Sequence, residues 1–262
     1  MPLIDDITVL ILTFNEEANI GRTLAAVSWA RQILIVDSGS TDTTLEIVHS
    51  YPQAKTVTRP FDTFANQCNF GLGNITTPWV LSLDADYVLT ADLSREIGAL
   101  QPVGHISGYR TGFVYCMYGA PLRRTLYPPR CTLYRRSSAH YMDEGHGHRV
   151  AINGAVTDLS GKILHDDRKS LSRWLAAQLR YAKVEADHLL AAPRSALGLS
   201  DRVRLMGWPA PPLVLLYSLL WKGCLFDGWP GWLYVLQRTF AETALALEIV
   251  DRRVRKAVGQ TS

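Results

Sequence analysis

Cysteine is scarce and scattered: the four in 262 residues are Cys68, Cys116, Cys131 and Cys224, and no two form a Cys-x-x-Cys pair. That spacing supports neither a zinc ribbon nor a disulfide framework and reads as reduced, mostly structural thiols. No Gly-x-Gly-x-x-Gly follows the first apolar run, which speaks against a nicotinamide-dependent oxidoreductase. Repeats and low-complexity stretches are lacking. The most intensely apolar run, 213–221, falls well short of the roughly 20 residues a helix needs to cross a bilayer. Asp5 and Asp6 precede the first apolar run, where a secretory signal would carry positive charge, so a cytoplasmic catalytic part is expected. Excess charge is small as well, 27 Lys and Arg against 24 Asp and Glu leaving +3, and nucleic acid is not an expected partner.

What is present is a chain with 47% hydrophobic residues, enough for a substantial core. Three short apolar runs, 7–14, 33–36 and 79–83, each end in polar, mostly acidic residues: Asn15-Glu16-Glu17, Asp37-Ser38-Gly39, and Asp84-Ala85-Asp86. Helical patterns over 16–28 and 41–50 follow the first two, with Ser40 as a candidate N-cap and Asp42 near the positive helix end. Alternation of this kind predicts βαβ units with a parallel sheet. In such a sheet the ligand site lies beyond the carboxyl ends of the strands, where these polar residues fall. Further strands are predicted over 54–58, 108–118, 132–135 and 161–164, and helices over 62–72, 90–100 and 170–191.

Two carboxylates one residue apart at a strand end suit a divalent cation held against a diphosphate. Carboxylate oxygens are hard ligands for Mg²⁺ or Mn²⁺, and a metal bound by one or two of them keeps positions for substrate phosphates. Asp-x-Asp also occurs in ordinary turns and caps, and Asp42 reads better as a cap than as a ligand. Between 119 and 130, three prolines interrupt Arg123, Arg124 and Arg130, either surface charge or partners for a diphosphate or lipid phosphate. His165 closes the run Ile163-Leu164-His165, either as a hydrogen-bonded structural residue or as a contact to metal or phosphate; His146 and His148 alternate like metal ligands but sit among glycines. The last third combines Trp229, Trp232, Tyr234 and Phe240 with Arg252, Arg253, Arg255 and Lys256, favouring a segment in the membrane interface over a buried helical hairpin.

Leu12-Thr13-Phe14-Asn15-Glu16-Glu17, Val36-Asp37-Ser38-Gly39-Ser40-Thr41-Asp42 and Leu83-Asp84-Ala85-Asp86, in this order and spacing, resemble the opening of family 2 glycosyltransferases. Farther on, Arg59, Phe61, Phe64, Ala65, Gln67, Asn69 and Phe70, then His165 and the stretch 222–228, are similar to a narrower group. That group is typified by lipopolysaccharide inner-core β-glucosyltransferases and related exopolysaccharide enzymes. The resemblance implies the GT-A fold, an α/β, Rossmann-like arrangement with a mostly parallel central sheet flanked by helices. The expected catalytic domain spans 1–168, its nucleotide-sugar half about 1–100 and its acceptor half about 101–168. A helical, membrane-associating extension over 169–262 would follow.

The same resemblance implies an inverting transferase moving a sugar from a nucleoside diphosphate to an acceptor hydroxyl, with a UDP-hexose such as UDP-glucose as the first donor to try. By likeness Asp37 meets the base of the nucleotide, and Thr13, Asn15 and Glu16 stand at its pocket. Ser38, Gly39, Arg59, Gln67, Asn69, Ala85 and Arg130 complete the expected substrate contacts. Asp84 faces the ribose or phosphate, and Asp86 is the principal ligand of Mg²⁺ or Mn²⁺, joined by His165. Many members carry their base in a Glu-Asp pair and the narrower group in His-Glu, whereas this chain has Asp143-Glu144; Glu144 is taken as the base with Asp143 in reserve. The expected acceptor is a lipid-linked glycan, on the cytoplasmic face of the inner membrane. Two other readings stay open: a polyprenyl-phosphate sugar synthase, since Asn15-Glu16-Glu17-Ala18-Asn19-Ile20 also resembles that branch, and a non-catalytic membrane adaptor that keeps the fold.

Overall fold

The computed structural model describes residues 3–102, 104–144 and 147–259, with the side chains of Glu144 and His148 outside that description. The chain divides into two compact units, Met1–Pro121 with Tyr127–Lys169, and Leu122–Leu126 with Ser170–Ser262.

In the first unit β1 (Ile7–Thr13), β2 (Gln32–Asp37), β3 (Ala54–Thr58) and β4 (Trp79–Asp84) lie side by side and parallel, in the order β3-β2-β1-β4. Strand β5 (Tyr87–Leu89), β6 (Ile106–Met117), β7 (Ala120–Pro121), β8 (Arg130–Arg135) and β11 (Ala155–His165) extend this sheet to nine strands among the described residues. Between β8 and β11 the chain forms a separate antiparallel hairpin, β9 (Ala139–Glu144) with β10 (Gly147–Ile152).

The expected mostly parallel sheet is therefore mixed. β8 runs antiparallel to both β4 and β6, and β5 antiparallel to β11. Parallel neighbours require a crossover of a dozen or more residues, commonly a helix, and no helix joins β6 to β8.

Side chains alternate along the buried strands and build two cores. Val9 and Ile11 of β1 join one cluster with α1 (Ile20–Ala26), α2 (Thr44–His49) and α4 (Ala91–Ala99), through Leu24, Val48, Leu93 and Ile97. Leu10 joins the other with α3 (Phe64–Gly73) and the β9–β10 hairpin, through Cys68, Leu72 and Tyr141. The buried hydroxyls of Tyr134 and Tyr141 lie 2.8 Å apart, and Tyr141 also bonds Ser82 Oγ at 2.9 Å, so burial costs them no unmade hydrogen bonds.

The helices α1 and α2 start later than the pattern suggests, at Ile20 rather than 16 and at Thr44 rather than 41. Long-range hydrogen bonds take the preceding residues instead. Asn15 adopts the left-handed conformation, φ 55°, and its Oδ1 accepts from the Thr41 and Asp42 amides while its own amide donates to Ser40 Oγ. Ser40 thus does not cap α2. Asp42 comes closer to its expected role, with Oδ1 accepting the Thr44 amide just inside the helix.

Strand β11 begins six residues before the predicted 161, since residues 155–158 already pair with β6, and an irregularity then interrupts that pairing between Asp158 and Lys162. Glu96 of α4 fills the gap, its carboxylate accepting the amides of Ser160 at 3.0 Å and Gly161 at 2.8 Å.

In the second unit α5 (Leu171–Ala191), α6 (Leu199–Met206) and α8 (Trp229–Ala257) pack around Ala182, Ala186, Leu189, Leu245 and Ile249, and α7 (Ala210–Leu216) lies against α8. Ser170 caps α5, and buried Glu242 of α8 pairs with Arg204 of α6 at 2.6 Å. Among the described residues no helix is long and apolar enough to cross a membrane.

The close approach at β11 gives a direct test of the packing. A Cβ on Gly161 would stand 2.5 Å from the Leu93 Cα, which is backbone and cannot swing away. Gly161→Ala is expected to lower unfolding stability by about 1–3 kcal/mol in a urea titration. An unchanged midpoint would contradict this contact.

Candidate active site at the strand ends

The carboxyl ends of β1, β2, β4 and β11 bring the predicted polar residues to one edge of the first unit. At the end of β2, Asp37 is 1% exposed, and its carboxylate accepts four hydrogen bonds. Donors are the amides of Gly39 and Ser40 at 2.9 and 2.8 Å, Ser40 Oγ at 2.5 Å, and Thr13 Oγ1 at 3.0 Å from the end of β1. Asp37 therefore shapes the Ser38-Gly39-Ser40 turn, and Gly39 supplies a φ of 94° there.

Gln67 of α3 supports the turn from beside it. Its Nε2 donates to Ser38 Oγ at 2.8 Å and to the Arg59 carbonyl at 2.9 Å. Arg59 answers through Nη1 to Gln67 Oε1 and holds Asp62 with both terminal nitrogens.

The turn after β4 is fixed from two sides. Thr23 of α1 donates to the Ala85 carbonyl at 2.6 Å, and the Asp166 amide donates to the Asp86 carbonyl at 3.1 Å. His165 Nε2 lies 3.1 Å from Asp86 Oδ2, and the rings of Tyr87, Tyr115 and Tyr127 surround the imidazole at 4.6–5.1 Å. Arg130 lays its guanidinium over the Tyr127 ring at 4.9 Å. Among the described residues, the buried Nδ1 of His165 has no hydrogen-bond partner, and neither has the Asp84 carboxylate. Asp86 and His165 form a pair that could hold a cation, and the Asp84 charge acts on the same imidazole. Among the described residues no three His, Cys, Asp or Glu side chains close on one point.

Beyond His165 the run Asp166-Asp167-Arg168-Lys169 forms an ionic network that the sequence reading missed. Buried Asp166 accepts from Arg22 Nη1 and Arg168 Nε, each at 2.8 Å, and from the Gly119 amide at 2.9 Å. Asn19 links Asp167, Glu16 and the Arg168 amide, while Lys169 Nζ meets Glu16 Oε1 at 2.6 Å. The available signal was two acids and two bases directly after an apolar strand; their partners Glu16, Asn19 and Arg22 lie more than a hundred residues away.

Burial sets the titration of these groups against their neighbours. Burial raises Glu16 to about 7, with the Asp86 charge adding and Lys169 opposing. Burial would raise Asp86 too, but His165, Lys169 and a backbone hydrogen bond together outweigh it and the carboxyl titrates below its ordinary value. For His165 burial works against the charged ring, and Asp86 with the charges of Asp84 and Asp167 overcomes it, moving the imidazole upward.

The remaining predicted residues lie around the β9–β10 hairpin and the arginine loop. Asn69 exchanges two hydrogen bonds with the Tyr141 backbone, at 2.9 and 3.0 Å, fastening α3 to β9. Asp143 Oδ1 accepts the Ala65 amide at 3.3 Å, at the amino end of α3. Glu144 ends β9 in backbone, whereas its side chain, His146 and the His148 side chain lie outside the described residues. The loop arginines divide: Arg130 opens β8 in the first unit, while Arg123 and Arg124 belong to the second, where Arg123 pairs with Asp227 at 3.3 Å.

Comparison with known proteins agrees with this geometry. The family described as Glycosyl transferase family 2 matches residues 8–102, which contain all three acidic strand ends. The chain is 27% identical to the lipopolysaccharide core biosynthesis glycosyltransferase LpsC of Rhizobium meliloti, over 96% of this chain and 94% of that one. It is 36% identical to an uncharacterized glycosyltransferase of Rickettsia bellii, over 77% of this chain and 74% of that one. The mannosyltransferase PcManGT from Pyrobaculum calidifontis, solved with GDP-Man and Mn²⁺, superposes with a TM-score of 0.51 at 15% identity, covering 98% of this chain and 88% of that one. With its acidic strand ends, mixed α/β sheet and these relatives, the chain belongs to glycosyl transferase family 2 and has the GT-A fold.

Proposed function

We propose that the protein is an inverting, metal-dependent hexosyltransferase that moves a sugar, glucose first among candidates, from a UDP donor to a hydroxyl of a lipid-linked glycan of lipopolysaccharide type. The observation that carries this reading is the strand tip itself: Asp86 against His165, beside an Asp84 carboxylate with no hydrogen-bond partner among the described residues. LpsC, named for lipopolysaccharide core biosynthesis and matched over nearly its whole length, supports the acceptor class. A lipid-linked acceptor would bring the reaction to a membrane surface, expected to be the cytoplasmic face.

The donor set fits a hard cation. Asp86 and His165 would fill two positions at most, which suits Mg²⁺ or Mn²⁺, ions that keep places for water and substrate phosphate. When bound, such an ion offsets charge developing on the departing diphosphate.

The chain's own residues do the rest. The Asp37-held turn presents the Ser38 and Gly39 backbone to the nucleotide, and the network around Asp166 keeps the Asp86 turn from moving as charge develops. Glu144 would take the proton from the attacking hydroxyl, and Asp143, already engaged by the Ala65 amide, is the reserve.

Transfer of label from UDP-glucose to lipopolysaccharide-type acceptor lipids in the presence of Mn²⁺ tests the reading. Asp86→Ala is expected to cut kcat/KM by about 100-fold or more, and Glu144→Gln by about 100-fold. No transfer from any nucleotide sugar, with Asp86→Ala indistinguishable from the parent, would leave a non-catalytic adaptor. Full rate in Glu144→Gln would favour a phosphate acceptor, which needs no base.

The titration of Glu16 makes a second prediction, read on protein without nucleotide or metal. Its folded pKa of about 7 lies above the ordinary 4.5, so its favourable contribution is complete below 4.5 and is lost as pH rises through 7. Glu16→Gln cannot titrate. Its stability relative to the parent is expected to improve by up to about 3 kcal/mol between pH 4.5 and 8. A difference constant across that range would contradict the burial assigned to Glu16.

A further inference from the structure

The second unit carries its apolar side chains on the outside as well as in its core. After α7, a wide turn over Tyr217–Trp221 and a tight one at Gly223 reverse the chain into Cys224–Asp227 and then α8. Cys224, Tyr234 and Val235 of this stretch are buried, with Cys224 and Tyr234 bonded to the backbone of Arg124 and Leu126. At its tip, Trp221 is 76% exposed and Phe226 70%. Leu213, Leu216, Tyr217 and Leu220 are exposed at helical spacing on the first arm.

On the second arm, Trp229, Trp232, Leu236, Phe240, Leu247 and Val250 are exposed. At 100° per residue they fall within an arc of about 80°, which runs most of the length of α8. A stripe this continuous exceeds the scattered apolar exposure of ordinary surfaces and marks a surface that something covers.

Charge selects the partner. The second unit holds fourteen Lys and Arg against seven Asp and Glu, a net +7, whereas the first holds thirteen against seventeen, a net −4. Beside the tip stand Lys222, Arg123 and Arg124, and Asp227 is the one acid within that segment. Two copies meeting through this unit would set +7 against +7. An anionic lipid surface offers the opposite sign, and tryptophans with flanking cations suit the headgroup region.

We propose that the α7–α8 hairpin is a monotopic anchor that lies in the interface of a bilayer containing anionic phospholipid, tip residues Trp221 and Phe226 inserted and the α8 stripe facing the acyl chains. The reading of a lipid-linked acceptor bears only on which bilayer is meant. The anchor stands or falls without the transfer reaction.

Flotation of the full chain with phosphatidylcholine vesicles, with and without phosphatidylglycerol, tests it, alongside sedimentation equilibrium and UDP binding. Recovery on the anionic vesicles is expected to exceed that on neutral ones by about tenfold, to fall in high salt, and to bring a blue shift of tryptophan emission. The Trp221→Ser, Phe226→Ser double variant should bind vesicles about tenfold more weakly with UDP affinity unchanged. Equal or absent recovery on both vesicles would overturn the proposal. So would a stable dimer that Leu247→Glu turns into monomer, since the stripe would then be covered by a second copy. Loss of UDP binding with vesicle binding intact would count against the transferase reading and leave the anchor standing.

Discussion

Two adjacent residues at the end of β11 hold the acidic turn at the end of β4. His165 meets the Asp86 side chain, and the Asp166 amide meets the Asp86 carbonyl. Asp166 can serve because its own carboxylate is buried and fully employed by Arg22, Arg168 and the Gly119 amide. Burying such a cluster is costly unless each charge finds oriented partners, and removing one partner leaves the others uncompensated. The arrangement therefore fixes the relation between α1, the β6–β7 turn and the strand tip, and the Asp86 side chain inherits that order.

From this constraint the chemistry follows. On the proposed reading an acidic tip would have to receive a polyanionic diphosphate, which it would repel on its own, and the groups nearest to it moderate that repulsion. The His165 imidazole is shifted toward its charged form, Lys169 stands against Glu16, and burial holds Glu16 neutral up to about 7. Asp84 is left as a carboxylate with no hydrogen-bond partner among the described residues. Cation and diphosphate together would supply what it lacks. Asp37, by contrast, is satisfied within the protein, and under the proposed function it would act on a ligand only through the turn it shapes.

Much of the edge where the site is built was legible in the sequence because three apolar runs end in acids, and a strand end can be read from a change of polarity. The helix starts were misread for a reason local patterns cannot contain: Ser40 and Asp42 look like caps, yet Ser40 Oγ accepts the Asn15 amide across 25 residues and Asn15 Oδ1 takes the Thr41 and Asp42 amides. The mixed sheet escaped for a related reason, since β8 carries no mark of its direction and only the missing crossover helix dictates it. The ionic network was hidden by distance, with Arg22 and Asp166 144 positions apart. Asn69 and Gln67 stood out by resemblance, but their part in bracing Tyr141 and Ser38 is a matter of packing.

The most direct measurement is a crystal structure of the protein with UDP and Mn²⁺. The account predicts the ion bonded to an Asp86 carboxylate oxygen and to diphosphate oxygens, with the Asp166 contacts to Arg22 and to the Asp86 carbonyl unchanged. An ion bound elsewhere, or an Asp86 turn that must leave Asp166 to reach it, would contradict the account.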